Sequence, residues 1–219
     1  RDLVRSRGLG DVYKRQRSRR PLARFLVAVR GRSRPFATSM NLDMPLPAPG
    51  RLDPLTTEGT PVSNENTPSV IFVCWGNICR SPMAEFVAKK IFADEGLDAR
   101  VTSAGVSDEE HGGPMDSRAK SVLTSHGYPC SGHNAHQIDE SEIMSADLVI
   151  AAEPRHLQMM KQMAPDADNL RLIRDYDPNC DPGTSLPDPW FGSTDGFQDT
   201  LDAIESAMPG IVDEVRSLA

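Results

Sequence analysis

The sequence lacks any apolar run close to the roughly 18 residues that a membrane-spanning helix needs, so we expect no membrane partner. It also has little cysteine. The four cysteines, Cys74, Cys79, Cys130 and Cys180, come without a recognisable secretory peptide and do not form the dense pattern of a disulfide framework. We therefore expect free thiols and a cytoplasmic protein with one folded domain of ordinary size.

Positive charge is scarce after residue 40. Residues 1–40 hold eleven Arg and one Lys against two Asp, a formal charge of +10, which leaves −17 for residues 41–219 out of the total of −7. Binding to nucleic acid without sequence preference depends on clustered Lys and Arg that neutralise phosphates. The acidic main body argues against a nucleic-acid partner, and any anionic substrate must be held by a local site.

Residues 1–67 are interpreted as an extension of the folded part. Residues 17–39 are rich in Arg, contain Ser and lack acidic residues, which suits an organellar transit peptide and organellar import. The alternative is sequence translated from upstream of a true start at Met40, or sequence left from cloning or assembly. Residues 41–67 are rich in Pro and Thr and hold too few large apolar residues to build a core, which indicates a linker. The folded domain is predicted to cover residues 68–219.

Short apolar runs alternate with amphipathic stretches from residue 69 onward. This alternation predicts an α/β fold, a doubly wound parallel four-stranded sheet with helices on both faces. In such sheets, ligands bind beyond the carboxyl ends of the strands. The predicted strands cover residues 69–74, 99–105, 147–153 and 169–173, and the predicted helices cover 80–95, 115–126, 154–163 and 196–218.

The segment VIFVCWGNICRSP runs from the first predicted strand into the first predicted helix. Between Cys74 and Arg80, residues 75–79 must make a tight turn whose backbone N–H groups can converge on one point. Such a concave run of amides binds anions, as does a helix amino terminus. Gly76 can adopt backbone angles closed to other residues, and Arg80 adds a planar fork of donors that matches phosphate oxygens.

The same electrostatic field acts on Cys74. A thiol at a helix amino terminus beside a cation ionises readily, so Cys74 is expected to be a thiolate near neutral pH, with Ser81 donating a hydrogen bond to the sulfur. A lone cysteine at a strand end is more often a small buried apolar residue. The combination with Gly76, Arg80 and Ser81 favours instead an anion cradle with a thiolate at its base, which indicates phosphoryl transfer to sulfur.

A leaving alkoxide or phenoxide needs a proton from a general acid elsewhere in the chain. The long loop before the last helix offers Asp177, Asp181 and Asp188, each followed by a proline that holds the aspartate extended. Spacing alone does not choose among them. Asp188 has the most suitable surroundings, because Trp190 and Phe191 could wall a site and exclude water.

Together, VCWGNICRSP and DPWFGS resemble the low-molecular-weight protein tyrosine phosphatases, over about residues 68–219. The resemblance implies the fold of that family, the phosphotyrosine protein phosphatase I type. It also implies a metal-independent phosphatase that needs no cofactor and works through a cysteinyl-phosphate. The substrate would be a phosphotyrosine-containing protein or a small aryl phosphate.

The resemblance also implies roles for three residues. Cys74 matches the nucleophile of the family, and Arg80 matches the residue that binds the phosphate and the transition state. Asp188 matches the general acid, which later activates water.

Other positions match residues that support the site. Asn77, Ser81 and Ser103 match residues that hold the loop in shape and support the thiolate. Cys79 matches the partner that forms a reversible disulfide with the nucleophile under oxidant, which protects the thiolate from irreversible oxidation. Substrate-binding contacts are predicted for Trp75, Gly76, Asn77, Ile78, Cys79, Ser81, Trp190 and Phe191.

Three departures from the family pattern affect specificity and regulation. Glu109 and Glu110 stand near a position where many animal members have an aromatic residue, and these acids would repel acidic phosphopeptides. Trp190 and Phe191 replace the usual double Tyr, which removes two phosphorylatable hydroxyls. His136 stands where the family often has Arg.

Related enzymes of the same fold provide alternatives. Thioredoxin-coupled arsenate reductases need two further cysteines close together, but Cys130 and Cys180 are far apart in sequence. A branch that removes phosphate from arginine carries Thr where Ile78 stands, and the bulkier Ile78 favours phosphotyrosine. A catalytically silent phosphate-binding module is disfavoured because Cys74, Arg80 and an acid are all present.

A zinc site is a further alternative, with Cys74, Cys79, His133 and His136 as ligands. The charge of Arg80 beside these ligands would oppose a cation. The other three histidines, His111, His126 and His156, are predicted to be surface or packing residues.

Overall fold

The computed structural model describes residues 67–219. The predictions made for the extension, a transit or upstream segment followed by a linker, lie outside the described residues and stay predictions. Among residues 67–219, no helix is long and apolar enough to cross a membrane.

Four strands form one parallel sheet: β1 (Ser69–Cys74), β2 (Arg100–Gly105), β3 (Leu148–Ala151) and β4 (Leu170–Leu172). Their order in the sheet is β2-β1-β3-β4. Every residue of β1 is buried, as expected for a central strand covered on both faces. Its apolar run is continuous for this reason and does not alternate with polar residues.

Five α-helices cover the sheet: α1 (Arg80–Asp94), α2 (Ser117–Ser125), α3 (Glu140–Ser145), α4 (Pro154–Met163) and α5 (Thr194–Leu218). One core cluster joins Phe72 of β1 to apolar residues of α1, α2 and α5, such as Met83. A second cluster joins Val73 to α3 and α4, through Ile143 and Met160. Neighbouring side chains of β1 therefore pack into cores on opposite faces of the sheet. The predicted doubly wound sheet with helices on both faces is confirmed.

The sheet places the loop after β1 at a distinctive position. β1 pairs with β2 on one side and β3 on the other, so the chain leaves β1 toward β2 and later returns to its opposite edge. In this topology the carboxyl end of β1 opens into the crevice where doubly wound proteins bind ligands. Cys74, the last residue of β1, lies there opposite Gly105 of β2.

Some predicted boundaries differ from the structure. The strands at 147–153 and 169–173 were predicted too long, and helix α2 starts at Ser117, because the Asp116 side chain caps it by accepting the N–H of Arg118 at 2.7 Å. Helix α3 was not predicted. It is a single short segment with a reciprocal cap between Asp139 and Glu142. That Asp-x-x-Glu pattern was the signal available in the sequence.

Candidate active site

The loop of residues 75–79 leaves its backbone donors free. Within residues 67–219, none of these N–H groups donates a hydrogen bond to a protein acceptor. Helix α1 then begins at Arg80 with no side-chain cap and no acidic residue in its first turn. Uncapped amides and the positive end of a helix dipole together form a site suited to an anion.

Asn77 holds this loop in an unusual conformation. Its φ of 57° is uncommon for a residue other than glycine, and such backbone strain persists only where surrounding bonds fix it. The side-chain amide of Asn77 donates to Ser81 Oγ (3.0 Å) and Ser103 Oγ (2.9 Å). Its Oδ1 accepts the backbone N–H of His136 (3.1 Å), and its carbonyl oxygen lies 2.6 Å from His133 Nε2.

The side chains of Asn77, Ser81 and Ser103 are buried behind the loop and do not line the pocket in front of it. For Asn77 and Ser81, which were predicted both to bind substrate and to support the loop, the side chains are placed for support alone. Ser103 extends this network, because its hydroxyl donates to Glu85 Oε2 at 2.5 Å. His133 and Glu85 were not predicted as parts of the network, since each contacts residues distant in sequence.

Cys74 lies at the base of the loop with its sulfur 3.0 Å from Ser81 Oγ. The Ser81 oxygen already accepts from Asn77, so its single proton is available for the sulfur or for the carbonyl oxygen of Ala104 at 3.2 Å. The predicted hydrogen bond from Ser81 to a Cys74 thiolate is therefore compatible with the geometry.

Arg80 is almost fully buried and lies between two carboxylates. Nη1 bonds to Glu153 Oε1, and Nη2 lies 2.9 Å from Asp188 Oδ2. Burial alone would raise the pKa of the Glu153 carboxyl, but the hydrogen bond and the charge of Arg80 outweigh burial and hold that pKa below its usual range. Glu153 was not predicted as a site residue, although its place two residues after the end of β3 was an available signal.

His156 lies against this ion pair. It is fully buried, and neither ring nitrogen has a hydrogen-bond partner among the described residues. Burial lowers its pKa to about 4, although the charge of Glu153 opposes that shift, so the imidazole is neutral at physiological pH. Its ring packs 6.4 Å from that of Trp75, which fits the predicted packing role, while His111 and His126 lie at the surface.

A pocket of about 330 Å³ opens above the loop. Among the three candidate aspartates, Asp188 lines this pocket and Asp177 and Asp181 do not. Asp177 is buried in a turn, where it pairs with Arg174 at 3.1 Å. The full lining consists of Cys74, Trp75, Gly76, Ile78, Cys79, Arg80, Glu109, Glu110, Arg155, Asp188, Trp190 and Phe191.

The two aromatic residues after Asp188 stand at the rim and do not enclose it. Phe191 is 96% exposed and Trp190 is 43% exposed, while the Asp188 side chain is 41% exposed. The expectation that they exclude water from Asp188 is wrong for this structure. The reason is local: Gly192 closes a turn onto the carbonyl oxygen of Pro189 (3.0 Å), which carries Phe191 outward.

The opposite rim carries charge. Glu109 Oε2 accepts the indole N–H of Trp75 at 2.9 Å, and Arg155 stacks over the Trp75 ring at 4.9 Å from its centroid. Glu110 lies so close to Gly76 that a Cβ at that position would come within 3.0 Å of its side chain. The predicted acidic residues therefore border the pocket, joined by Arg155, which was not predicted.

The residues of the zinc alternative are not brought together. Among the described residues, no group of three or more His, Cys, Asp or Glu side chains is placed to hold a metal ion. His133 contacts the carbonyl oxygen of Asn77, and His136 Nε2 lies 3.0 Å from Glu142 Oε1.

Comparisons with known proteins point to one family. The model of the low molecular weight phosphotyrosine protein phosphatase family matches residues 69–218. A low molecular weight protein-tyrosine-phosphatase of Streptomyces coelicolor is 42% identical over 153 residues, covering 67% of this chain and 93% of that protein. The chain belongs to the low-molecular-weight phosphotyrosine protein phosphatase family.

Further members of this phosphatase family agree. Low molecular weight protein-tyrosine phosphatase A of Mycobacterium tuberculosis is 42% identical over 151 residues, covering 67% of this chain and 90% of that protein. The crystal structure of a protein tyrosine phosphatase from Entamoeba histolytica with Hepes in the active site matches with a TM-score of 0.65 at 26% identity, over 69% of this chain and 98% of that one. The predictions of family and fold are confirmed, and the roles of individual residues stay predictions.

Proposed function

We propose that the domain hydrolyses phosphotyrosine and other aryl phosphate monoesters in two steps through a cysteinyl-phosphate. The observation that carries this proposal is the position of Cys74. Its sulfur lies at the base of a loop with free amides, 3.0 Å from Ser81 Oγ, and Cys74 lines the same pocket as Arg80 and Asp188. Family membership supports the same reaction.

In the first step, the Cys74 thiolate attacks phosphorus and forms a sulfur–phosphorus bond. The bond from phosphorus to the phenolic oxygen breaks, and Asp188 in its protonated form gives its proton to that oxygen. The amides of residues 75–79 and the Arg80 guanidinium stabilise the charge on the phosphoryl oxygens. In the second step, Asp188 takes a proton from water as the water oxygen attacks phosphorus, and phosphate leaves as the thiolate is restored.

Arg80 links these steps through its two carboxylate partners. Glu153 fixes one side of the guanidinium, and Asp188 is paired with the other. Phosphoryl oxygens must accept hydrogen bonds from the same Arg80 N–H groups that bond Asp188. Substrate binding therefore displaces Asp188 from Arg80. The displaced carboxyl can then serve as the proton donor for the leaving group.

The substrates we propose are phosphotyrosine-containing proteins, dephosphorylated in the cytoplasm. The free state of the four cysteines supports a reducing compartment. Glu109 and Glu110 border the pocket and disfavour acidic residues next to the phosphotyrosine. Ile78, which lines the pocket with an apolar side chain, favours an aromatic ring over a guanidinium.

The experiment that tests the function is phosphate release by the full-length chain from p-nitrophenyl phosphate and from a phosphotyrosine peptide, each with EDTA present. We expect full activity in EDTA, because the residues that act on phosphorus in this proposal come from the chain itself. A phosphoarginine peptide should be hydrolysed far more slowly. Loss of activity with EDTA, or faster turnover of phosphoarginine, would contradict the proposal.

We also propose that peroxide inactivates the enzyme reversibly through a disulfide between Cys74 and Cys79. Burial, with the charges of Asp116 and Cys74, raises the pKa of the Cys79 thiol to about 12, so Cys79 stays neutral beside the nucleophile. Peroxide would oxidise the Cys74 thiolate to a sulfenic acid. The Cys79 thiol then displaces water to form the disulfide, which a thiol reductant reopens.

Cys79→Ser tests this redox cycle. After hydrogen peroxide and then dithiothreitol, the unmodified enzyme should recover most of its starting activity, whereas Cys79→Ser should recover little, because its Cys74 oxidises further. Recovery is scored against the starting activity of each variant, and Cys180→Ser is the matched control. Equal recovery of Cys79→Ser and the unmodified enzyme would rule out the protective disulfide.

A further inference from the structure

Arg118 lies outside the pocket lining, in the first turn of α2, and its guanidinium is fixed by Asp116. Nε lies 3.1 Å from Asp116 Oδ1, and Nη2 lies 2.8 Å from Asp116 Oδ2. The hydrogen bond from Arg118 holds the pKa of the Asp116 carboxyl below its usual range. A two-point bond of this kind sets both the position and the plane of a guanidinium.

The other edge of the Arg118 guanidinium reaches the loop that follows Asp188. Nη1 donates to the carbonyl oxygen of Gly192 at 3.1 Å and lies 3.4 Å from that of Trp190. The guanidinium carbon also lies 4.7 Å from the ring centroid of Phe197, which is fully buried in α5, and 5.9 Å from that of Trp190. Arg118 therefore joins the loop to the core by hydrogen bonds and by stacking at once.

The loop after Asp188 has few other attachments, and the chain directly before Asp188 is anchored where Thr200 Oγ1 donates to the carbonyl oxygen of Pro187 at 3.2 Å. Its own hydrogen bonds are local: the Trp190 N–H donates to Asp188 Oδ1 at 3.1 Å, and Gly192 bonds to Pro189. Phe191 makes almost no contact with the rest of the protein, as its exposure shows. The ion pair of Asp188 with Arg80 does not hold the loop during turnover, since phosphoryl oxygens need the same guanidinium donors.

Asp116 is also tied to the phosphate-binding loop. Its backbone N–H donates to the carbonyl oxygen of Ile78 at 2.8 Å. A continuous path of short contacts thus runs from the loop after Cys74, through Asp116 and Arg118, to the loop after Asp188. Ile78 and Trp190, at the two ends of this path, line the pocket, whereas Asp116 and Arg118 do not.

We propose that Arg118 is a positioning residue for the general acid: it holds the Asp188 loop in register with the phosphate-binding loop once substrate has displaced Asp188 from Arg80. This inference rests on the proposed function, because it assigns Arg118 an effect on proton donation by Asp188. Arg118 itself touches neither the substrate nor the reacting atoms.

The test compares kcat/KM for two substrates in the full-length chain. p-Nitrophenyl phosphate has a good leaving group that needs little help from an acid, and phenyl phosphate has a poor one that needs a proton. For Arg118→Ala, we expect kcat/KM for phenyl phosphate to fall about 10- to 100-fold, which is the rate loss expected when a catalytic group is held in the wrong position. For p-nitrophenyl phosphate, we expect a fall of less than about threefold.

Four further measurements sharpen the test. Arg118→Lys should not restore the lost rate, because an ammonium cannot bond Asp116 at two points and the loop carbonyls together. Inhibition by inorganic phosphate should be unchanged in Arg118→Ala, since the anion loop is intact. Adding Arg118→Ala to Asp188→Ala should cause no further loss. Arg216→Ala, which removes an exposed arginine on α5, is the control and should match the unmodified enzyme.

The outcomes separate this inference from the proposed function. If Asp188→Ala shows no preference for the good leaving group, the acid role fails and the proposed mechanism fails with it. If Asp188→Ala shows that preference but Arg118→Ala and Arg118→Lys slow both substrates equally, or weaken phosphate inhibition, the inference alone is overturned. An unchanged rate for both substrates in these Arg118 variants would overturn it as well.

Discussion

Cys74→Ser should reduce phosphate release from aryl phosphates by on the order of 10⁵- to 10⁶-fold, the scale seen when the nucleophile of a covalent enzyme is removed. The serine oxygen would stand in almost the same place, at the end of β1 beside Ser81. It would be a poor nucleophile there, because a hydroxyl is a far weaker acid than a thiol and stays protonated.

The matched control for this prediction is Cys130→Ser. Cys130 lies outside the pocket, where its sulfur contacts Thr124 and the carbonyl oxygen of Lys120. The control should retain full activity and an unchanged melting temperature. A Cys74→Ser variant that keeps more than a few per cent of the activity would show that another group attacks phosphorus.

Arg80→Lys should lower kcat/KM by about 10³-fold, within the range measured when an arginine that stabilises a phosphoryl transition state is lost. Lysine keeps the positive charge, so a loss of this size must come from geometry. The Arg80 guanidinium bonds Glu153 on one side while presenting its other nitrogen to the pocket. An ammonium can bond Glu153 or the phosphoryl oxygens well, but it lacks the planar fork that serves both.

Measurement of inhibition by inorganic phosphate separates two causes of that loss. If Arg80 acts mainly in the transition state, kcat should fall more than phosphate affinity in Arg80→Lys. Arg216→Lys, which changes an exposed arginine paired with Glu95, serves as the control and should behave as the unmodified enzyme. A loss of less than tenfold in Arg80→Lys would contradict the assigned role.

The parts of the fold that could be predicted depend on contacts local in sequence. The strand β1 and the start of helix α1 at Arg80 could be predicted from residues that are consecutive in the sequence, and both predictions match the structure. Helix α4, with Pro154 in its first turn, was predicted with the observed bounds. Helix α3 has only six residues and was missed, because a segment this short shows little helical periodicity and depends on its cap.

The parts of the site that could not be predicted depend on contacts across the fold. Arg80 and Glu153 are 73 residues apart, and Arg118 and Gly192 are 74 residues apart. No spacing rule connects residues at these distances, since only the order of the strands and the packing of α2 against the last loop bring them together. The exposure of Phe191 has the same origin: an aromatic residue after Asp-Pro indicates a wall, but the turn at Gly192 decides where that side chain points.

The most direct test of the central claim is to identify the group that carries the phosphoryl during turnover. The full-length enzyme is mixed with p-nitrophenyl phosphate, quenched in acid within milliseconds, digested and analysed by mass spectrometry. We predict a phosphorylated cysteine at Cys74, present during turnover and absent after the substrate is exhausted. Phosphate on another residue, or rapid hydrolysis with no phosphorylated Cys74 at any time, would contradict the account.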